Sequence, residues 1–266
     1  MNNDENVVSF LQAGSTNTPL GMSYLVYALQ VCQSIRPGGQ VLDLGCGPGT
    51  LLCMLAGLMP TTIFTGVDLS DEMLNMARKN SEIQNLINVN FLKDNMVEIK
   101  NNHVADHSMD TIISTLAMHH LPDLEKLTEY FVNIKRMLKP DGQVLIADYG
   151  RLKRNSSMDF FAYKYRHQQS EILTTDLLNS LKAAFSIKEI DQALRNAGCH
   201  DFIVRTTLIA PFMITIERNP TQNHLTNAQQ KFFLNSLDKL DTALLRDFKK
   251  LVLFMNLGGH KIRIPK

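Results

Sequence analysis

The sequence predicts an α/β protein: a doubly wound, mostly parallel seven-stranded sheet that ends in an antiparallel hairpin, with helical additions at both termini. Three observations predict it. Short apolar runs alternate with helix-period segments through the first 150 residues, the pattern of parallel strands joined by crossover helices. Residues 41–50, Val-Leu-Asp-Leu-Gly-Cys-Gly-Pro-Gly-Thr, join one such run to a helix through three alternating glycines, a strand–turn–helix arrangement suited to a nucleotide. Two later strand-like runs, 202–209 and 212–217, are separated only by Ala210 and Pro211, and so short a connection makes a hairpin rather than a parallel crossover.

In chain order, residues 21–34 read as a helix closed by Arg36-Pro37-Gly38-Gly39. The first strand ends at the glycine loop, and Leu51, Leu52, Met54 and Leu55 begin the next helix. A second strand over 62–67 ends at Asp68, and Ser70 caps a helix over 71–79 with acids in its first turn. Strands follow at 88–92 and 111–115, then a strongly periodic helix at 124–138 and a turn at Lys139-Pro140-Asp141-Gly142. A fifth strand spans 143–148. Residues 150–186 break the alternation with a polar, aromatic insertion, and a helix over 187–197 closes at Gly198. The hairpin and two amphipathic helices over 220–266 complete the chain. The expected division is an N-terminal helical cap (1–36), a core (37–219) and a C-terminal helical extension (220–266).

Bulk properties bound the function. A chain of 266 residues, 44% apolar and 20% charged, suits one large domain with appendages. Its net charge of +1 supplies no field to recruit nucleic acid or an anionic membrane; Lys249, Lys250, Lys261, Arg263 and Lys266 form a local basic tail. No run is long and apolar enough to span a membrane, and the polar first residues are unlike a signal peptide. Cys32, Cys46, Cys53 and Cys199 show no C-x-x-C pair, which fits reduced thiols and a cytoplasmic setting. Cys46 reads as a small residue fitting a tight turn.

Two details separate the glycine loop from a dinucleotide site. Its spacing is G-x-G-x-G, with Thr50 where the last glycine of G-x-G-x-x-G would stand. Asp43 precedes Gly45 by two residues, and a carboxylate there repels a pyrophosphate but suits a cationic ligand such as S-adenosylmethionine. At these residues the chain resembles the class I S-adenosylmethionine-dependent methyltransferases of Rossmann-like fold, whose first motif is acid-x-G-x-G-x-G. The resemblance covers about residues 38–218.

The resemblance places Asp43, Gly45, Cys46, Gly47 and Gly49 at the methionine end of the cofactor. Asp68, past the second strand, can accept from both ribose hydroxyls; Leu69 lies against the adenine. Asp94, past the third strand, corresponds to an acid that accepts from the adenine amino group, while the Asn95 N–H reaches the ring. Thr115, past the fourth strand, completes the cofactor set. Each acid also has a plainer reading: Asp68 as a cap and Asp94 as a loop residue.

Residues 114–123 resemble the S-x-x-x-x-H-H-L-P-D stretch of many small-molecule methyltransferases. His119 and His120 are candidate catalytic groups, because an imidazole titrates near neutrality. The alternative is that both tie the loop to the next helix, and in the resembled enzymes this stretch is often structural and shields the methyl group. Asp148 can orient an amine or hydroxyl, or cap the turn after the fifth strand. Tyr149, Tyr163, Tyr165, Arg166 and His167 are substrate candidates, with a surface helix as the alternative for the last four; Tyr24 and Tyr27 are candidate lid residues. His103 and His107, with Asp106 and Asp110, have ligand-like spacing but sit in a polar loop expected at the far end of the sheet, so no metal is expected.

The reading is methyl transfer from S-adenosylmethionine to an N, O or C nucleophile of a small molecule. A macromolecular acceptor (RNA or protein) engaged by the basic tail, a non-catalytic nucleoside-binding module and an NAD oxidoreductase are the alternatives. The fourth strand lacks the N-P-P-[YF] tetrad of enzymes that methylate nucleobase or glutamine amines. The C-terminal extension is a candidate for covering the site, binding a partner or pairing two copies as a homodimer.

Overall fold

The structure is a computed structural model in which residues 17–265 are described; Lys266 of the basic tail lies outside them. Seven strands form one sheet: β1 (Gln40–Leu44), β2 (Ile63–Asp68), β3 (Val89–Lys93), β4 (Met109–Thr115), β5 (Leu138–Tyr149), β6 (Ile203–Thr206) and β7 (Met213–Arg218). Their order is β3-β2-β1-β4-β5-β7-β6. Strands β1 to β5 pair in parallel, and β7 inserts antiparallel between β5 and β6, as the late hairpin implied. The order reverses between β1 and β4, so a crevice opens past their carboxyl ends.

Helices cover both faces. On one lie α1 (Pro19–Ser34), α2 (Thr50–Leu58) and α3 (Asp71–Ile83); on the other lies α4 (Leu124–Met137). Local chemistry sets their starts. Thr18 accepts from Gly21 N at the head of α1, Ser70 from Met73 N at α3, and Asp123 from Lys126 N at α4. Asp71 and Glu72 add negative charge at the positive end of α3.

The insertion folds as α5 (Asn155–Tyr163) and α6 (Glu171–Ala183), which pack on each other. Next comes α7 (Ile187–Asn196), opened by a reciprocal Ser186/Glu189 capping box and packed on α4. The segment after the hairpin forms α8 (Asn227–Leu237) and α9 (Thr242–Leu257). Phe233, Leu237, Leu244, Phe248, Val252 and Met255 from these two helices join Leu25, Leu29 and Leu52 in the core of one sheet face. Gln33 of α1 exchanges two hydrogen bonds with the Arg263 backbone (2.7 and 2.9 Å). The C-terminal segment therefore completes the core beneath α1. Among the described residues, no helix is long and apolar enough to cross a membrane.

Two expectations are corrected. The turn at 139–142 lies within β5 as a bulge: Met109 opposes Leu138 while Thr111 opposes Gln143, so the intervening residues loop out. The hairpin connection spans 207–212, not two residues. Leu208 N donates to Phe254 O of α9, and Gly150 N to Phe212 O. Those bonds draw the ends of both runs off the ladder and across the crevice.

Candidate active site

A cavity of about 1380 Å3 opens past the carboxyl ends of the strands. Pockets for one small ligand run to roughly 300–1,000 Å3, so there is room for two. Its floor is the glycine loop with Asp43 near the end of β1, Asp68 as the last residue of β2 rather than past it, and Asp94 just after β3; its roof comes from α1, α5, α6, residues 207–212 and α9.

The loop is held by its backbone. Gly45 N and Cys46 N both donate to Val67 O (2.8 and 2.9 Å). Gly45 has φ +76°, and a Cβ there would come within 2.4 Å of Ala117 Cβ. At Gly47, φ is +53° and the space a Cβ would take is open, leaving a cradle that faces the cavity. Gly49 does not line the cavity; it caps α2 in the left-handed conformation, packed on Ala77. Cys46 packs over Gly66, where a Cβ would stand 2.7 Å from Cys46 Sγ. Burial pushes its thiol pKa well up, which suits a packing group.

Asp43 is 4% exposed, and its carboxylate accepts no hydrogen bond from a described residue. Burial, then the charge of Asp68, pushes its pKa up to about 7. A carboxylate so placed lacks a cation. Asp68 is oriented by Gly47 N on Oδ2 (2.9 Å) and Ser70 N on Oδ1 (3.0 Å), and each oxygen keeps a lone pair for a ligand. Leu69 lies exposed along the same wall.

Asp94 is differently committed. Oδ2 accepts from Lys100 N and from His103 Nδ1 (3.1 and 2.7 Å), while Oδ1 accepts from Asn95 N (2.8 Å). Burial alone would raise its pKa, but these bonds outweigh it and hold the carboxyl below its usual range. One Oδ1 lone pair remains for a donor such as an amino group. The Asn95 N–H expected to reach a ring points instead at Asp94. His103 is thus beside the floor rather than at the far end of the sheet, whereas His107 bonds Leu138 O at the start of β5. Among the described residues no cluster could hold a metal ion.

Above the floor, Thr115 lines the wall and Leu116 turns at φ +54°, an uncommon conformation for its type. That turn leads into a short 3-10 helix, Met118–His120. His119 is 4% exposed. Its Nδ1 meets Asp148 Oδ1 at 2.7 Å, and its backbone N–H donates to Asp148 Oδ2 at 3.0 Å. Burial alone would lower the pKa of His119, but the Asp148 charge and hydrogen bond outweigh it, so it is raised. The other ring nitrogen, Nε2, is buried with no partner among the described residues. The His120 ring lies tilted by 43° against the His119 ring, 4.2 Å between centroids, and burial, then the His119 charge, lowers the His120 pKa. Asp148 is 1% exposed and stands behind His119, outside the cavity wall.

The aromatic wall continues from His119 to Tyr149 (5.7 Å), Phe212 (5.7 Å) and Phe161 (4.1 Å, stacked). Of the substrate candidates, Tyr24, Tyr149 and Tyr165 line the cavity. Tyr27 is buried below it, donating to Met213 Sδ (3.3 Å). Tyr163 faces solvent, as do Arg166 and His167, which bond each other. Phe160, Phe161 and Lys164 line the cavity instead, Phe160 while still 61% exposed. Lys164 Nζ and the Tyr165 hydroxyl both bond Asp247 of α9, latching insertion to C-terminal helix. Asp176 of α6 also lines the cavity. A lone aspartate in an amphipathic helix carries no sequence signal, although Phe160, Phe161 and Lys164 share a detectable helical stripe.

Comparison with known proteins agrees with this architecture. A family model described as a methyltransferase domain matches residues 35–203. Arsenite methyltransferase of Halobacterium salinarum is 35% identical over 117 residues, 43% of this chain and 28% of that protein. Phosphoethanolamine N-methyltransferase 3 of Arabidopsis thaliana is 32% identical over 230 residues, 86% of this chain and 40% of that protein. The chain thus spans well under half of either relative. Among solved structures, a SAM-dependent methyltransferase from Aquifex aeolicus shares the fold, with a TM-score of 0.55, 20% identity, and coverage of 78% of this chain and 96% of that one.

Proposed function

From the premise that the chain belongs to the methyltransferase domain family, we propose that it transfers a methyl group from S-adenosylmethionine to a nucleophile of a small molecule. The observation that carries this is the buried, unpartnered Asp43 beside the open Gly47 cradle, in a cavity continuous with the His119–Asp148 pair.

The residues present fit the cofactor. Asp43 would receive its ammonium group, the open Cβ position at Gly47 would admit the methionine chain, and Asp68 keeps a lone pair on each oxygen that would take the two ribose hydroxyls. When bound, the cofactor supplies an electrophilic methyl carbon on a positively charged sulfur. The chain must align a nucleophile and remove its proton. Asp148 holds the Nδ1–H tautomer of His119, which leaves the Nε2 lone pair as the proton acceptor. Asp148 is therefore a positioning residue, and His119 is the base. His120, whose pKa is lowered by burial and then by the His119 charge, forms the edge of the wall.

Isothermal titration tests the reading. S-adenosylhomocysteine should bind, and Asp68→Ala should weaken it by about tenfold or more, the effect of losing hydrogen bonds to a charged group. No binding to the intact protein would overturn the proposal.

A further inference from the structure

The cavity face of α6 presents residues 173, 176, 177 and 180 at helical spacing: Leu, Asp, Leu and Ser. Asp176 is the one charge on that stripe. Helix α6 packs on the 3-10 turn that carries His119, and each of the two groups feels the other's charge. Burial, then the charges of Asp148 and Tyr24 and last that of Asp176, raise the Tyr149 pKa. The Asp176 carboxylate accepts no hydrogen bond from any described residue, and His119 Nε2 is buried without a partner. A half-buried acceptor and a buried orphan nitrogen, both in the wall of one cavity, together call for a ligand with hydrogen-bond donors.

The surroundings narrow that ligand. Around the pair, Phe161, Leu173, Leu177, Phe212 and Tyr149 make an apolar chamber. Among the described lining residues there is no arginine; Lys164 is engaged by Asp247 and Lys126 by Glu129, and Lys250 stands exposed on α9 at the roof. A carboxylate in an apolar wall favours a cation over an anionic group.

We propose that Asp176 selects the methyl acceptor, and that it selects an amine carried on an apolar body. Its carboxylate receives the ammonium hydrogens, and one proton passes from nitrogen to His119 Nε2, whose ring becomes the imidazolium paired with Asp148. The electron pair left on nitrogen is then free to act as the nucleophile. This inference rests on the methyltransferase reading above.

The test is direct binding to the full chain saturated with S-adenosylhomocysteine. The probes are a set of aryl- and alkylamines headed by 2-phenylethylamine, with the matched alcohol 2-phenylethanol and the carboxylate 3-phenylpropanoate. The amine should bind, the alcohol at least about tenfold more weakly, and the carboxylate not measurably, as expected for a hydrogen bond to a charged group. Asp176→Asn should erase the preference for amine over alcohol, and Asp176→Glu should largely restore it. Both variants should bind S-adenosylhomocysteine like the parent, which separates loss of selection from loss of fold. Equal binding of amine and alcohol, an Asp176→Asn variant that keeps the preference, or binding by none of the amines would overturn the proposal. Failure of S-adenosylhomocysteine to bind the parent chain would sink the underlying reading instead.

Discussion

The floor and the roof of the cavity are built by different means. The floor is backbone and carboxylate: Gly45 and Cys46 hang from Val67 O, and Asp43, Asp68 and Asp94 stand at the carboxyl ends of three adjacent strands. The roof is side chain, drawn from α5, α6, residues 207–212 and α9, segments far apart in sequence. A backbone-built surface has little room for variation, because a change moves the strand that carries it. A side-chain surface can be re-lined without disturbing the sheet. The difference teaches that one molecule can keep a fixed cofactor and exchange its acceptor.

The contrast is best attacked first at Gly45. Gly45→Ala places a methyl within 2.4 Å of Ala117 at φ +76°. Strain plus overpacking should cost about 2–4 kcal/mol of stability, with cofactor binding lost; thermal melts and titration check both. Near-parental stability and affinity would show the floor to be more pliant than described.

At the junction of floor and roof, Asp148→Asn should lower turnover by roughly 10²–10⁴-fold, the range of general acid–base assistance. S-adenosylhomocysteine affinity should stay unchanged. A parallel loss of affinity would mean that Asp148 supports the floor and not the base.

A third prediction concerns Asp43, whose carboxyl titrates near pH 7 in the free protein. A cationic ligand favours the ionised form, so cofactor affinity should rise with pH through about 7 and then level off; Asp43→Asn should flatten the profile. The stability of the ligand-free protein should run the other way. Because the folded pKa is raised, the folded state holds this proton more tightly, and its contribution is lost as pH rises from about 3.8 to about 7. Melts across that window, with and without ligand, give the sign.

The smallest effect belongs to the latch. Asp247→Asn should raise the acceptor KM by about two- to fivefold, the scale of a partly exposed ion pair, and leave cofactor binding untouched. A change in cofactor affinity would join regions that the structure separates.

Legibility in the sequence follows the same division. The glycine loop and the three acids occupy consecutive strand ends, so spacing alone aligns them. The hairpin was readable because a short connection cannot make a crossover. The roof was not readable in detail. Tyr163, Arg166 and His167 belong to the aromatic stretch, yet Tyr163 ends α5 on its solvent side and the turn after the helix exposes Arg166 and His167, while Phe160, Phe161 and Lys164 line the cavity. Asp176 gains meaning only from its place opposite His119. Residues 207–209 and 212 read as strand because their composition is apolar, and only contact with α9 and Gly150 pulls them over the crevice.

The ring series His119–Tyr149–Phe212–Phe161 has an optical consequence. The chain contains no tryptophan and six tyrosines, so its near-ultraviolet emission is tyrosine emission. Three of the six, Tyr24, Tyr149 and Tyr165, line the cavity. Half of the protein's native fluorophores thus surround one chamber, and an arriving guest changes their quenching without any dye attached. The protein carries its own gauge of occupancy, readable in a plain cuvette.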